Sequence, residues 1–119
     1  MNNHDFVATI KEAVRDAAIT DTIDVLRNPP GRKPSQRMTE RAEWYGSLDD
    51  EQRRILAGLI GDAVHNAIFG FLCVLDGVRA VESGPVKGTF ELRYSKDGVT
   101  KVLNSADEEM LHDLFNEPG

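Results

Sequence analysis

The longest apolar run of the chain lies between Ile55 and Leu75, where 15 of 21 residues are hydrophobic. The exceptions are Gly58, Gly61 and Gly70 together with Asp62, His65 and Asn66. At about 100° per residue, Asp62, His65 and Asn66 fall on one side of a helix, whereas Ile68 to Leu75 is apolar nearly all round. A helix that is apolar on every side must be enclosed, by the fold or by a partner. Ser47 can cap such a helix, with Asp49, Asp50 and Glu51 in its first turn against the helix dipole. The pattern predicts a long, near-fully buried central helix over about 48–76. The three glycines mark where another backbone is expected to approach it.

The remaining elements follow from period and punctuation. Val7, Ile10, Val14 and Ala17 form one stripe, predicting an N-terminal helix over about 4–26. Asn3 is its expected cap, Thr20-Asp21-Thr22 weakens its last third, and Asn28-Pro29-Pro30-Gly31 stops it. A Pro-rich basic loop over 28–35 leads to a short helix over about 38–45. Val78 to Glu82 reads as helix or strand, with Ser83-Gly84-Pro85 as the break. The period then changes from 3.6 to 2, placing Phe90, Leu92 and Tyr94 on one strand face. Lys96-Asp97-Gly98 supplies a tight turn, so a hairpin is expected over about 88–103. Ser105 opens a last helix over about 106–115, with Met110, Leu111, Leu114 and Phe115 inward. The fold class is α+β: a long buried central helix with an N-terminal helix, an antiparallel β-hairpin and a short C-terminal helix in a single domain over 1–119.

Composition narrows the function classes. With a net charge of −6 the chain is a poor general binder of nucleic acid or anionic lipid. The exception is local: residues 27–41 carry +4, against −5 over residues 105–119. Cys73 is the single cysteine and lies in the apolar run, which fits a reducing compartment and a cytoplasmic protein. The first residues are not expected to form a signal peptide. The run 55–75 is long enough to span a bilayer, but Asp62 sits near its middle, where a charge costs about 2.5–3.5 kcal/mol. A soluble helix and no membrane contact are therefore expected.

Candidate chemistry centres on the long helix. Arg54, Gly58 and Asp62 step along one face at intervals of four, with His65 beside them. A groove rimmed by Arg54, Asp62, His65 and Asn66 is the candidate ligand site, with Asp62 and His65 as candidate acid–base residues. The plain alternative is that His65 is structural, bonded to Asp62 or to backbone. Asp62–His65 and Glu109–His112 share the acid-x-x-His spacing of helical metal sites, with Glu12 and Asp16 as further carboxylates. Three histidines among 20 acids produce such spacings by chance, so neither a metal nor another cofactor is expected. His112 has the simpler role of answering a helix C-terminus. Arg27, Arg32, Lys33, Arg37 and Arg41 form the basic cluster, followed by Trp44 and Tyr45. Arg32, Lys33, Arg37, Trp44 and Tyr45 are candidate partner-binding residues, for an acidic protein surface or, more weakly, nucleic acid. Phosphate-loop, dinucleotide, nucleophile-elbow, His-Glu-x-x-His and Cys-x-x-Cys motifs do not occur, which argues against an enzyme.

The segments Phe90-Glu91-Leu92-Arg93-Tyr94, Lys96-Asp97-Gly98, Leu103-Asn104 and Leu111-His112-Asp113-Leu114-Phe115 resemble small bacterial proteins of unassigned function. The likeness covers the last quarter of the chain and implies a structural pattern without an activity. The expectation is an interaction module of adaptor, inhibitor or immunity-like type. It self-associates as a homodimer because one chain of this length does not cover so apolar a helix.

Overall fold

The computed structural model describes residues 1–118 and has an α+β architecture. A helical rod opens the chain: α1 (Asn3–Ile10), a π-helical stretch (Lys11–Asp16) and α2 (Ala17–Arg27). Asn2, not Asn3, is the cap. Its side chain accepts from the Asp5 backbone N–H while Asp5 returns the bond to the Asn2 N–H. Asn3 is instead buried, and its Nδ2 donates to the Glu109 carbonyl at 3.0 Å, tying the two ends of the chain together. The Thr20–Thr22 stretch stays helical, with the Thr22 hydroxyl donating back to the Ala18 carbonyl.

Helix α3 (Gln36–Gly46) is capped by Ser35, and α4 (Asp50–Leu75) by Asp49, which forms a capping box with Gln52. Ser47, the expected cap of α4, donates to the Trp44 carbonyl and closes α3 instead. The chain leaves α4 through a Schellman turn: Gly77 at φ 77° bonds back to Val74, and the Val78 N–H to the Cys73 carbonyl. Val78 to Glu82 is neither helix nor strand, only bends in irregular chain.

Strands β1 (Arg93–Lys96) and β2 (Val99–Val102) pair antiparallel, with Arg93 opposite Val102 and Lys96 opposite Val99. Asp97 and Gly98 both take positive φ, as this two-residue turn demands. The ladder begins later than the alternation suggests, and Phe90 is exposed. Asn104 fixes the hairpin to α4: its Nδ2 donates to the carbonyls of Leu75 and Phe90, and its Oδ1 accepts from the Leu92 N–H.

The last helix, α5 (Leu111–Asn116), starts five residues later than expected. Ser105 holds only a local turn, accepting from the Asp107 N–H through its hydroxyl and from the Glu108 N–H through its carbonyl. Leu111, Leu114 and Phe115 meet Val7 of α1 and Leu72 of α4 in the core, with Phe6, Ile10, Ile68, Phe69, Leu75 and Leu92 around it. That core sits at one end of α4.

Burial of α4 departs from the sequence expectation. Its buried residues are Gly70, Leu72 and Cys73, all in the last turns, while Ile55, Leu59 and Phe71 are 51%, 63% and 62% exposed. The reason is topological. The hairpin and α5 gather at the C-terminal end of α4, and residues 77–92 run on as irregular chain, of which the Arg79 side chain reaches back over Gly70. The glycines also differ from expectation, since no backbone closes on them. A Cβ at Gly58 would meet nothing within 4 Å, one at Gly61 only the tip of Ile19, and one at Gly70 the guanidinium of Arg79.

Candidate functional site

The four polar residues proposed as a ligand groove on α4 are not gathered. Arg54 turns back to Glu51, 2.5 Å away, and holds that carboxyl below the usual value. Asp62 and Asn66 are exposed. His65 is half-buried; its Nε2 lies 3.1 Å from the Asn116 Oδ1 and its ring stacks on Phe115 at 4.6 Å. His65 is thus committed to α5 and not to Asp62. Gly58 floors no groove, since open space lies above it.

The other acid-x-x-His pair also resolves into separate contacts. His112 Nδ1 lies 2.7 Å from the Asp76 Oδ2, its Nε2 lies 3.3 Å from Asp113, and Glu109 faces His4 at 4.0 Å. Among the described residues no three His, Cys, Asp or Glu side chains form a metal-holding group. Glu12 and Asp16 line a polar groove with His4, Lys11, Arg15 and Glu117. Cys73 is buried, and that burial pushes its thiol above the ordinary value of 9.0, with Arg79 opposing and Asp76 and Asp113 adding.

The basic cluster is displayed as expected of a solvated surface. Arg27, Arg32, Lys33, Arg37 and Arg41 are exposed, the last two beside Val25 and Met38 in a shallow groove. The two aromatics that follow part company. Tyr45 is buried under the Arg53 guanidinium, 4.8 Å above its ring, so it is unavailable to a partner. Trp44 is 52% exposed.

What the structure assembles instead is an apolar face. Ile55, Leu59, Ala63, Ala67 and Phe71 recur at intervals of four along α4, and all five are exposed. Residues so spaced form a continuous ridge on a helix. Beside it runs a second apolar ridge, Leu56, Ile60, Val64, Ile68 and Leu72. At the N-terminal end of this face Trp44 and Leu48 join Ile55 and Leu59 in a groove of about 370 Å³. At the C-terminal end a groove of about 440 Å³ opens between α1 and α4, lined by Phe6, Ile10, Val14, Ala67, Phe71 and Leu75 among others. Periodicity alone marked these positions as apolar, but nothing in it told the covered side from the uncovered one.

By length and composition α4 is able to cross a membrane, although Asp62 stands exposed at its middle. No protein-family model, curated protein or solved structure matches the chain.

Proposed function

We propose that this protein is a cytoplasmic protein–protein interaction module, of adaptor or inhibitor type, that self-associates through the apolar face of α4. The observation that carries this reading is the exposed ridge from Ile55 to Phe71, which runs more than four helical turns without a charged residue. A contiguous apolar patch of this kind marks an interaction surface, since isolated soluble chains rarely leave one open. The extent of the surface supports the same reading. The chain exposes 8453 Å², whereas a compact monomer of 13.2 kDa exposes about 6,400 Å² by the usual scaling. The excess, about 2,000 Å², is of the order that each partner of an obligate dimer buries. The lone thiol, buried at Cys73, suits a reducing compartment.

The test is Leu59→Asp. Position 59 is exposed in the single chain, so the substitution spares the fold. In a self-associated protein it places a carboxylate inside the contact on each copy. Sedimentation velocity is expected to show association weakened by about a hundredfold or more, with an unchanged far-ultraviolet circular dichroism spectrum. Undiminished association of the folded variant contradicts the reading.

A further inference from the structure

We infer that the occupant of the α4 face is a second copy of this chain, docked antiparallel about a two-fold axis that passes through Ala63. This inference rests on the self-association proposed above and adds to it the register and the contacts. The first argument is the order of side-chain sizes along the ridge: Ile55, Leu59, Ala63, Ala67, Phe71. Each row of residues four apart is inclined about 26° to its helix axis, so laying the row of one copy along the same row of the other crosses the helices at about 50°, with axes about 8–10 Å apart. Two rods crossed in this way are nearest at one point and diverge on either side of it. With a rise of 1.5 Å per residue, the axes are about 10 Å apart one step of four residues from the crossing, and about 13 Å apart after two steps. The narrowest point therefore wants the smallest side chains, and the ends want the largest.

A two-fold through Ala63 meets that demand. It sets each residue against the one whose number brings the sum to 126. Ala63 meets Ala63 at the crossing, Leu59 meets Ala67 one step out, and Ile55 meets Phe71 where the gap is widest. Small faces small, large faces small, and large faces large, in the order the divergence requires. No other residue of the ridge divides it into equal arms.

The second argument is what lies beside the ridge at its two ends. The Trp44 and Leu48 patch stands next to Ile55, and the groove of Phe6, Ile10 and Val14 stands next to Phe71. Antiparallel docking brings the patch of each copy toward the groove of the other, and it does so twice. This is the self-complementarity that an isologous contact needs. It also covers Trp44, Val14 and Phe71, large apolar side chains that the single chain leaves exposed.

The third argument is charge. A parallel pair crossed at the same angle sets Asp49, Asp50 and Glu51 of the two copies about 19 Å apart, against more than about 30 Å in the antiparallel pair, so in a protein already carrying −6 the screened repulsion adds a modest preference for the antiparallel order. The antiparallel pair keeps the two acidic helix starts apart. Asp62 projects about 100° around the helix from Ala63, which leaves its carboxylate at the solvated rim. No ionised group of α4 between residues 55 and 75 is then buried by the contact.

Cysteine scanning tests the register. Facing α carbons at a helix crossing are about 3.4–5.4 Å apart, which overlaps the disulfide range. Ala63→Cys under mild oxidation is expected to convert to a covalent dimer roughly tenfold faster than Asp62→Cys, the neighbour that points away. Leu59→Cys and Ala67→Cys are each expected to stay uncrosslinked alone and to crosslink when mixed. The unaltered protein, whose own Cys73 is buried, is the control. If light scattering gives a dimer while Ala63→Cys crosslinks no faster than Asp62→Cys, the register is overturned and self-association stands. Crosslinking of Leu59→Cys with itself overturns the antiparallel arrangement in the same way. A monomeric unaltered protein, with or without binding to lipid vesicles, overturns both.

Discussion

Asp76 closes α4 through its backbone N–H, which donates to the Leu72 carbonyl, and opens α5 through its carboxylate, whose Oδ2 meets the His112 backbone N–H at 2.8 Å and the His112 Nδ1 at 2.7 Å. A carboxylate only accepts hydrogen bonds, so Nδ1 carries the proton in this contact. The Asp76 side chain is 2% exposed, and Met110, the residue in the capping position of α5, supplies no side-chain bond of its own. Asp76 therefore does for α5, from a distant element, what a capping residue does locally. This explains why α5 begins at Leu111 and not at the Ser105 turn. No local pattern signals a cap that lies 36 residues away, so the start of α5 was not legible in the sequence. The same holds for Asn104, whose three bonds to Leu75, Phe90 and Leu92 exist only once the chain has folded. Asp76→Ala leaves the half-buried His112 donors without this partner and is expected to cost about 1–3 kcal/mol. Denaturant unfolding at fixed protein concentration measures it, and a loss below about 0.5 kcal/mol would remove Asp76 from this role.

Elements governed by neighbours in sequence were legible, and elements governed by distant contacts were not. The length of α4, the Asp97-Gly98 turn and the Pro-rich break after α2 each rest on local chemistry, and each stands close to where the pattern puts it. The amount of α4 that one chain covers depends on where the hairpin and α5 land, which no periodicity encodes. The polar candidates failed to gather for a related reason. A common helix face brings Arg54, Asp62 and His65 into line, but their partners come from elsewhere: Glu51 for Arg54, and α5 for His65. The glycines of α4 illustrate the difference between a residue type and its setting. A Cβ at Gly58 meets open space, and its position lies about 140° around the helix from Ala63, outside the proposed contact. Gly58→Ala is therefore expected to stabilise the protein by about 0.5–1 kcal/mol, the helix preference of alanine over glycine. Urea unfolding checks this, and a destabilised variant would show that something packs on that side of the helix.

As a whole molecule the chain is extended. Its radius of gyration is 18.6 Å, whereas a compact domain of 119 residues has about 13.5 Å. Its core lies at one end, between α1, the last turns of α4 and α5, while α2 leans on α4 further along and α3 packs on α2. A rod with a core at one end and an apolar flank has two of the layers a stable domain needs on that side only when another surface joins it. A second copy joined across α4 supplies that surface, and it turns two extended chains into one thicker body. The measurement that tests this most directly is the molar mass of the unaltered protein by light scattering at micromolar concentration. Self-association predicts about 26 kDa, twice the 13.2 kDa of one chain. A mass of 13.2 kDa held across the concentration range would contradict it.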